Sequence, residues 1–358
     1  GKSRPALIWN SVLQNMSADR RKGRRVLPAI AVIWILCTVF LTAGCSAKQG
    51  IGEIAEQTQE LEAKSGKISV VTTIFPPYDF VRQIAGDRAE LKMLLKPGEE
   101  SHSYEPTPQD IIAIQESDVF IYTGGENDVW VEDILSSMPE NGRLTLRLMD
   151  CVDTLEEEHV EGMKESLGHG HDEDEEDSVH EIDEHVWTSP VNAALIVDQI
   201  KEMLIKADTD GREIYEENAA AYREELSDLD RQFREVMENA KSSLLIFGDR
   251  FPFRYLAEEY GLDYYAAFPG CAGDTEPSAA TMVFLIDKVK EQRVPCVLKM
   301  ELSSKDIANA IAEATGAEVK VLYSCHNLSA EDFENGETYI SMMQKNVETL
   351  KEVLNGWH

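Results

Sequence analysis

Hydrophobic residues along this 358-residue chain fall into short runs that alternate with longer amphipathic segments. The short runs are rich in β-branched residues and end at glycine, proline or a polar residue, which is typical of buried strands. The longer segments carry apolar residues three or four positions apart, which indicates helices. Four strand–helix units precede residue 210 and roughly four follow residue 241. The alternation predicts an α/β fold of two lobes, each a parallel four-stranded sheet flanked by helices.

A long amphipathic segment separates the two sets of strands. Its apolar residues recur at steps of four and three, with charges between them; they are Tyr215, Ala219, Tyr222, Leu226, Leu229, Phe233, Val236 and Ala240. An ordinary core helix would show the same stripe, but a rigid helix between two lobes also gives a binding-cleft architecture. We therefore predict a linking helix at 210–241, with an N-terminal lobe at 67–155 and 185–209 and a C-terminal lobe at 242–358.

Residues 156–184 interrupt the alternation with a segment dominated by acidic residues. Four histidines are scattered through it: His159, His169, His171 and His180. Such a composition buries too little apolar area to fold alone and predicts a mobile loop. The loop could collect zinc weakly or serve only as a solvated acidic spacer.

The N-terminal segment has the features of a secretory signal. A basic cluster at 20–25 precedes the apolar run VLPAIAVIWILCTVFLTAGC, which ends at Cys45. LTAGC resembles a bacterial lipobox, in which the cysteine becomes the lipidated first residue. We predict a signal peptide at 1–44, with Met16 as the true start, and a flexible tether at 45–66. A transmembrane anchor is the alternative, because the apolar run is of borderline length for spanning.

The chain is strongly acidic, with a formal net charge of −32. Residues 1–44 hold seven of the 34 Lys and Arg and one of the 66 Asp and Glu, so the remainder carries −38. A field of this sign repels phosphate backbones and attracts cations, which excludes nucleic-acid binding.

Three histidines stand just past predicted strand ends or beside the acidic segment. His102 lies in KPGEESHSYEPTPQD, His185 in DEHVWTSP and His326 in YSCHN. Ligands of open α/β sheets bind at the carboxyl ends of the strands, so the three imidazoles are predicted to face one crevice. Imidazole is a favoured ligand of zinc and similar ions. The prolines around His102 are expected to hold it in place before metal binds.

Four segments resemble the metal-specific substrate-binding lipoproteins of ABC transporters, the zinc/manganese group with a rigid linking helix. The segments are PGEESHSYEPTPQD, DEHVWTSP, RYLAEEYGLDY and YISMMQKNVETL, and the likeness covers nearly all of 67–355. The resemblance implies an extracytoplasmic monomer, attached to the membrane through Cys45. Such a protein captures a divalent transition metal and delivers it to an ABC permease.

The resemblance also implies a set of metal ligands. His102 and His185 match the first two ligand positions of the family. The third position is occupied by Arg250, whose guanidinium cannot bind a cation. Its neighbour Asp249 is the predicted substitute, and Glu301 at the end of a strand is held in reserve. His326 falls where the family has a carboxylate, and an imidazole-rich site favours Zn²⁺ over Mn²⁺.

Four cysteines follow Cys45, and their spacing matches no zinc ribbon or CxxC motif. They are Cys151, Cys271, Cys296 and Cys325. Outside the cytoplasm they allow three pairings, of which Cys271 with Cys325 is favoured because both follow strand-like runs.

Two other functions stay open at this point. Three imidazoles on zinc with an open position would suit an extracytoplasmic hydrolase, although no HExxH motif, serine elbow or phosphate loop is present. A surface adhesin or structural lipoprotein would use the metal only to stabilise its fold. The overall pattern favours a binding protein that is not an enzyme.

Overall fold

The computed structural model describes residues 66–101, 104–163, 181–272 and 276–356. The predicted signal peptide, Cys45, His102 and most of the histidine-containing acidic segment therefore lie outside the described residues. Within the ranges described, every helix is too short or too polar to cross a lipid bilayer.

Two parallel four-stranded sheets form the two lobes, which confirms the predicted fold class. In the first sheet the strands lie in the order β2-β1-β3-β4; they are β1 (Ile68–Thr72), β2 (Ala89–Met93), β3 (Val119–Tyr122) and β4 (Leu144–Arg147). The second sheet has the order β6-β5-β7-β8; its strands are β5 (Leu244–Phe251), β6 (Asp263–Pro269), β7 (Cys296–Met300) and β8 (Glu318–Leu322). Each sheet thus repeats one topology, with the carboxyl ends of its strands at a single edge.

Helices connect the strands within each lobe. The first lobe contains α1 (Phe75–Ala85), α2 (Pro108–Glu116), α3 (Val129–Ser137) and α4 (Pro190–Ala207). The second contains α6 (Arg254–Tyr260), α7 (Ala279–Gln292), α8 (Asp306–Thr315), α9 (Ala330–Glu334) and α10 (Tyr339–Asn355). Prolines lie in the first turns of α1, α2 and α4. Proline suits this position because the first N–H groups of a helix have no intrahelical partner.

The long helix between the lobes is α5 (Arg212–Asn239). The stripe from Tyr215 to Val236 is buried along its whole length. This face packs on α1 and α4 of the first lobe and on α10 and α6 of the second. The helix therefore joins the lobes through side-chain packing as well as through the backbone.

Buried hydrophobic side chains from both sheets and α5 form one continuous cluster. Trp187, Phe80 and Tyr339 lie within it and are all fully buried. Smaller clusters fill the outer faces of each sheet. Since the lobes share a core, large rotations of one lobe against the other would expose apolar surface and cost free energy.

Phe233 tests this shared packing. Its ring stacks on Tyr260 with centroids 5.0 Å apart, and it is buried in α5. We expect Phe233→Ala to lower the free energy of unfolding by about 3–5 kcal/mol, through lost burial and the cavity left behind. The measurement is urea denaturation, with the exposed Glu224→Ala in the same helix as the control. A loss below about 1 kcal/mol would show that neighbouring side chains fill the space left by the ring and that the stripe is not tightly packed.

Candidate metal centre

A narrow cleft opens between the lobes at the carboxyl ends of the strands, with a volume of about 30 Å³ for the centre of a water-sized molecule. Each lobe contributes polar side chains to its walls. The first lobe contributes Glu99, Glu100, Ser101 and His185, and the second contributes Arg250, Glu301 and His326 among others. Acidic side chains outnumber basic ones along these walls, so the local field attracts cations.

His185 and His326 face each other across this cleft. His185 precedes α4, and His326 follows β8. Their ring centroids are 5.5 Å apart and the ring planes are inclined by 80°. Two imidazoles bound through nitrogen to one tetrahedral zinc ion place their ring centres about 5 Å apart. The observed separation is therefore close to that needed for both rings to bind one ion.

The orientation of His185 is fixed by Asp183. One carboxylate oxygen of Asp183 accepts the backbone N–H of His185 at 2.8 Å and lies 3.0 Å from Nδ1 of the ring. With the proton on Nδ1, the lone pair of Nε2 is free for a cation, an arrangement that is common among metal-binding histidines. Burial alone would lower the pKa of His185, but the charges of Asp183 and Glu184 outweigh it and raise that pKa above its ordinary value.

Trp187 holds both histidine rings in place. Its ring lies 5.5 Å from His185 and 5.1 Å from His326, centroid to centroid. The indole N–H donates to the carbonyl of Ser324 at 2.8 Å, and the Tyr339 hydroxyl donates to the carbonyl of Trp187 at 2.6 Å. Because Trp187 is fully buried, these contacts fix the separation of the two histidine-bearing segments.

The loop that leads to His102 is fastened to the opposite lobe. The side-chain amide of Asn327 donates to the carbonyls of Lys96 and Glu99, each at 2.8 Å. The N–H of Gly98 also donates to the carbonyl of Leu328 at 2.8 Å. These bonds, in addition to the prolines, anchor the segment immediately before His102. His102 itself lies outside the described residues, so its place in the cleft stays a prediction.

Arg250 occupies the cleft as one half of an ion pair between the lobes. One guanidinium nitrogen lies 2.9 Å from a carboxylate oxygen of Glu100, and the other end donates to the carbonyl of Ala272 at 3.2 Å. The pairing of β5 with β6 shifts register between Phe247 and Arg250. Such an irregularity changes the direction of the side chains that follow it.

Asp249, the predicted fourth ligand, is not among the residues that line this cleft. Its carboxylate accepts the N–H of Met300 at 3.0 Å and the hydroxyl of Ser303. These bonds hold the Asp249 carboxylate against the turn that follows β7.

Glu301, held in reserve by the sequence argument, does line the cleft. Its two carboxylate oxygens accept from the hydroxyl and the N–H of Ser324, at 2.8 and 2.7 Å. Burial raises the pKa of Glu301 to about 7. Its contacts in this conformation stabilise the loop that carries His326.

All four cysteines of the described residues are free, so the favoured Cys271–Cys325 disulfide is not formed. Cys271 instead lies beside the histidine site. Its sulfur, a carboxylate oxygen of Asp183 and a ring nitrogen of His185 all lie within 4.8 Å of one another. Burial and the neighbouring acids raise the pKa of the Cys271 thiol, which argues against a nucleophilic role.

Sequence reasoning did not select Cys271, although a signal for its position was available. In FPGC the cysteine stands two residues past the end of β6, where the strand-end rule that selected the histidines also applies.

Residues 70–353 match the protein family ZnuA, described as "Zinc-uptake complex component A periplasmic". The chain belongs to this family. The match confirms the resemblance drawn from the motifs and covers both lobes and the linking helix. ZnuA family members are solute-binding transport proteins rather than enzymes.

Two curated relatives extend the likeness along the chain. The zinc-binding lipoprotein AdcA of Streptococcus pneumoniae (strain ATCC BAA-255 / R6) is 35% identical over 317 residues, which is 88% of this chain and 59% of AdcA. The high-affinity zinc uptake system protein ZnuA of Bacillus subtilis (strain 168) is 35% identical over 319 residues, which is 88% of this chain and 97% of that protein. The chain thus spans little more than half the length of AdcA.

Solved structures show the same fold. The Zn(II)-bound ZnuA-like domain of S. pneumoniae AdcA superposes with a TM-score of 0.67 at 33% identity, covering 81% of this chain and 100% of that domain. The metal-dependent lipoprotein YcdH of B. subtilis gives a TM-score of 0.67 at 33% identity, covering 80% of this chain and 99% of that one.

Trp187→Phe tests the joint between the two histidine-bearing segments. The change leaves the buried carbonyl of Ser324 without its donor and leaves space beside the smaller ring. We expect the free energy of unfolding to fall by about 2–4 kcal/mol, measured by guanidinium denaturation. The matched control is Trp130→Phe, at a half-buried indole beside Tyr104. Equal losses in both variants would mean that the bond to Ser324 has no special role.

Proposed function

We propose that this chain is the extracytoplasmic binding component of a zinc-uptake system, which captures Zn²⁺ in the interlobe cleft and passes it to an ABC permease. The observation that carries the proposal is the pair of imidazoles, His185 and His326, that face each other from opposite lobes at 5.5 Å. The names of the S. pneumoniae and B. subtilis relatives, a zinc-binding lipoprotein and a zinc uptake protein, support it.

The proposed ligands are His102, His185 and His326. His185 belongs to the first lobe and His326 to the second, so one ion bridges the two. Binding therefore adds a direct link to the contacts that already join the lobes.

Zinc is favoured over manganese by the chemistry of the cleft. Manganese prefers carboxylate and water ligands, whereas imidazole suits zinc. Asp249 is bonded to Met300 and Ser303, and Glu301 is bonded to Ser324. With these carboxylates committed elsewhere, the donors that face each other across the cleft are imidazoles.

The location and partners follow from the same proposal. Cys45 is the proposed lipid attachment site, which would hold the protein at the outer face of the cell membrane beside its permease. The binding component is proposed to act as a monomer. The hydrolase alternative is disfavoured by membership of a family of transport proteins. The adhesin alternative is separated from transport by the growth experiment below.

Zinc stoichiometry tests the ligand assignment. We expect the wild-type protein to hold about one tightly bound zinc ion per chain. Both His185→Ala and His326→Ala should lose it, because each variant lacks one of the few ligands that hold the ion. Zinc content after dialysis and a competition titration provide the measurement. His159→Ala is the matched control, since His159 is exposed in the acidic segment and its loss should leave tight binding unchanged.

Two results would contradict this assignment. Full zinc content in His326→Ala would show that His326 is not a ligand. Loss of tight zinc in His159→Ala would show that the acidic segment contributes to the tight site.

Growth in zinc-depleted medium tests transport. We expect cells that lack the gene to grow poorly without added zinc, and the wild-type gene to restore growth. The His185→Ala gene, expressed to the same level, should not restore it, because its protein cannot carry the ion. Normal growth of the deletion strain in that medium, with no competing zinc importer present, would favour the adhesin or structural alternative.

A further inference from the structure

One group of metal-binding side chains combines His185 with two residues that are not part of the ligand set assigned above. Asp183, His185 and Cys271 bring one oxygen, one nitrogen and one sulfur within 4.8 Å of one another. The acid and the histidine are buried, and the thiol is half-buried and unpaired with any other cysteine. Oxygen, nitrogen and sulfur donors are the three classes that bind zinc in proteins.

The loop that carries Cys271 is held close to His185. The backbone N–H of Cys271 donates to a carboxylate oxygen of Glu157 at 2.7 Å, and the guanidinium of Arg250 donates to the carbonyl of Ala272 at 3.2 Å. Gly270 allows the close approach, because an added Cβ would lie 2.9 Å from the carbonyl oxygen of Phe251 and 3.1 Å from the Asp183 carboxylate.

Arg250 therefore has a second consequence for the site. It stands where the family resemblance implies a ligand and cannot bind a cation itself. Its contact with Ala272 instead positions the residue next to Cys271. The side chain that replaces the family's ligand therefore also holds the loop that carries Cys271.

The distances suit coordination with only a small adjustment. Tetrahedral zinc, with bonds of about 2.3 Å to sulfur and 2.0–2.1 Å to nitrogen, separates these two donors by about 3.6 Å. The Cys271 sulfur and a His185 nitrogen lie within 4.8 Å of each other, so the two donors have to approach by at most about 1.2 Å to reach this separation.

We propose that Cys271 is a thiolate ligand of the zinc ion held by His185. This inference rests on the proposed function and names a ligand of that same site. The thiol releases its proton to solvent as the cation binds, while Asp183 keeps the His185 ring oriented. A sulfur donor makes the site softer, and soft donors favour zinc over manganese.

Cobalt substitution gives a direct readout of the sulfur ligand. Co²⁺ bound by a thiolate shows a near-ultraviolet charge-transfer band that imidazole and carboxylate ligands do not produce. We expect the purified wild-type protein to show this band at one equivalent of Co²⁺ and Cys271→Ser to lose it. Cys151→Ser is the matched control and should retain the band, because Cys151 lies in the first lobe and its thiol donates to the carbonyl of Arg147.

Zinc affinity provides the second measurement. The loss of groups that only support a metal ligand already costs about 10–100-fold in affinity, so the loss of a ligand should cost Cys271→Ser about 100-fold or more. Zinc should also protect Cys271 from alkylation by iodoacetamide in the wild type but not in His185→Ala. Unchanged circular dichroism of Cys271→Ser establishes that the variant is folded.

The outcomes separate this inference from the function on which it rests. Stoichiometric cobalt and zinc binding without a thiolate band would overturn the role of Cys271 and leave the proposed function standing. A band that survives in Cys271→Ser but is lost in Cys325→Ser would show that Cys325 supplies the sulfur. That result would equally overturn the role of Cys271. Absence of any tight metal binding in the wild type would overturn the proposed function itself.

Discussion

The site depends on the buried contact between Trp187 and the loop that follows β8. The indole N–H bond to Ser324 joins the segment that carries His185 to the loop that carries His326. Both ends are removed from water, so breaking the bond would leave a polar group unsatisfied. The two imidazoles are therefore held at a fixed separation by the fold, and little ordering of these two ligands remains to oppose binding.

Charge around this joint is arranged in pairs. Asp183 faces His185, Glu100 faces Arg250, and the carboxylate of Glu301 is bonded to Ser324. The acidic surroundings attract a cation, but most of the carboxylates within the cleft already have partners. The field draws cations of many kinds towards the cleft, whereas the proposed donors, imidazoles and a thiol, favour zinc.

The sequence was enough to predict the lobes and the strand ends, because hydrophobic periodicity is local and the topology rule for parallel sheets is general. It placed His185 and His326 at one edge and identified Arg250 as a departure from the family pattern. The Glu100–Arg250 ion pair could not be predicted, since it joins residues 150 positions apart. Nor could the register shift between Phe247 and Arg250 in β5. The position of Cys271 in FPGC could be recognised in the sequence. Whether this cysteine forms a disulfide or binds a metal depends on its distance from His185, which the sequence does not give.

The shared core limits how this cleft can work. Because α5 packs on both lobes and the buried aromatic residues run between them, wide opening would expose a continuous apolar surface. Access for a metal ion must come from smaller movements at the cleft rim, where the Glu100 side chain lies. The Glu100–Arg250 pair closes this rim and is only partly buried, with the Glu100 side chain 43% exposed. Because the Glu100 end of this pair contacts water while Arg250 is buried, the Glu100 side chain can move at the rim while the histidine joint beneath it stays assembled.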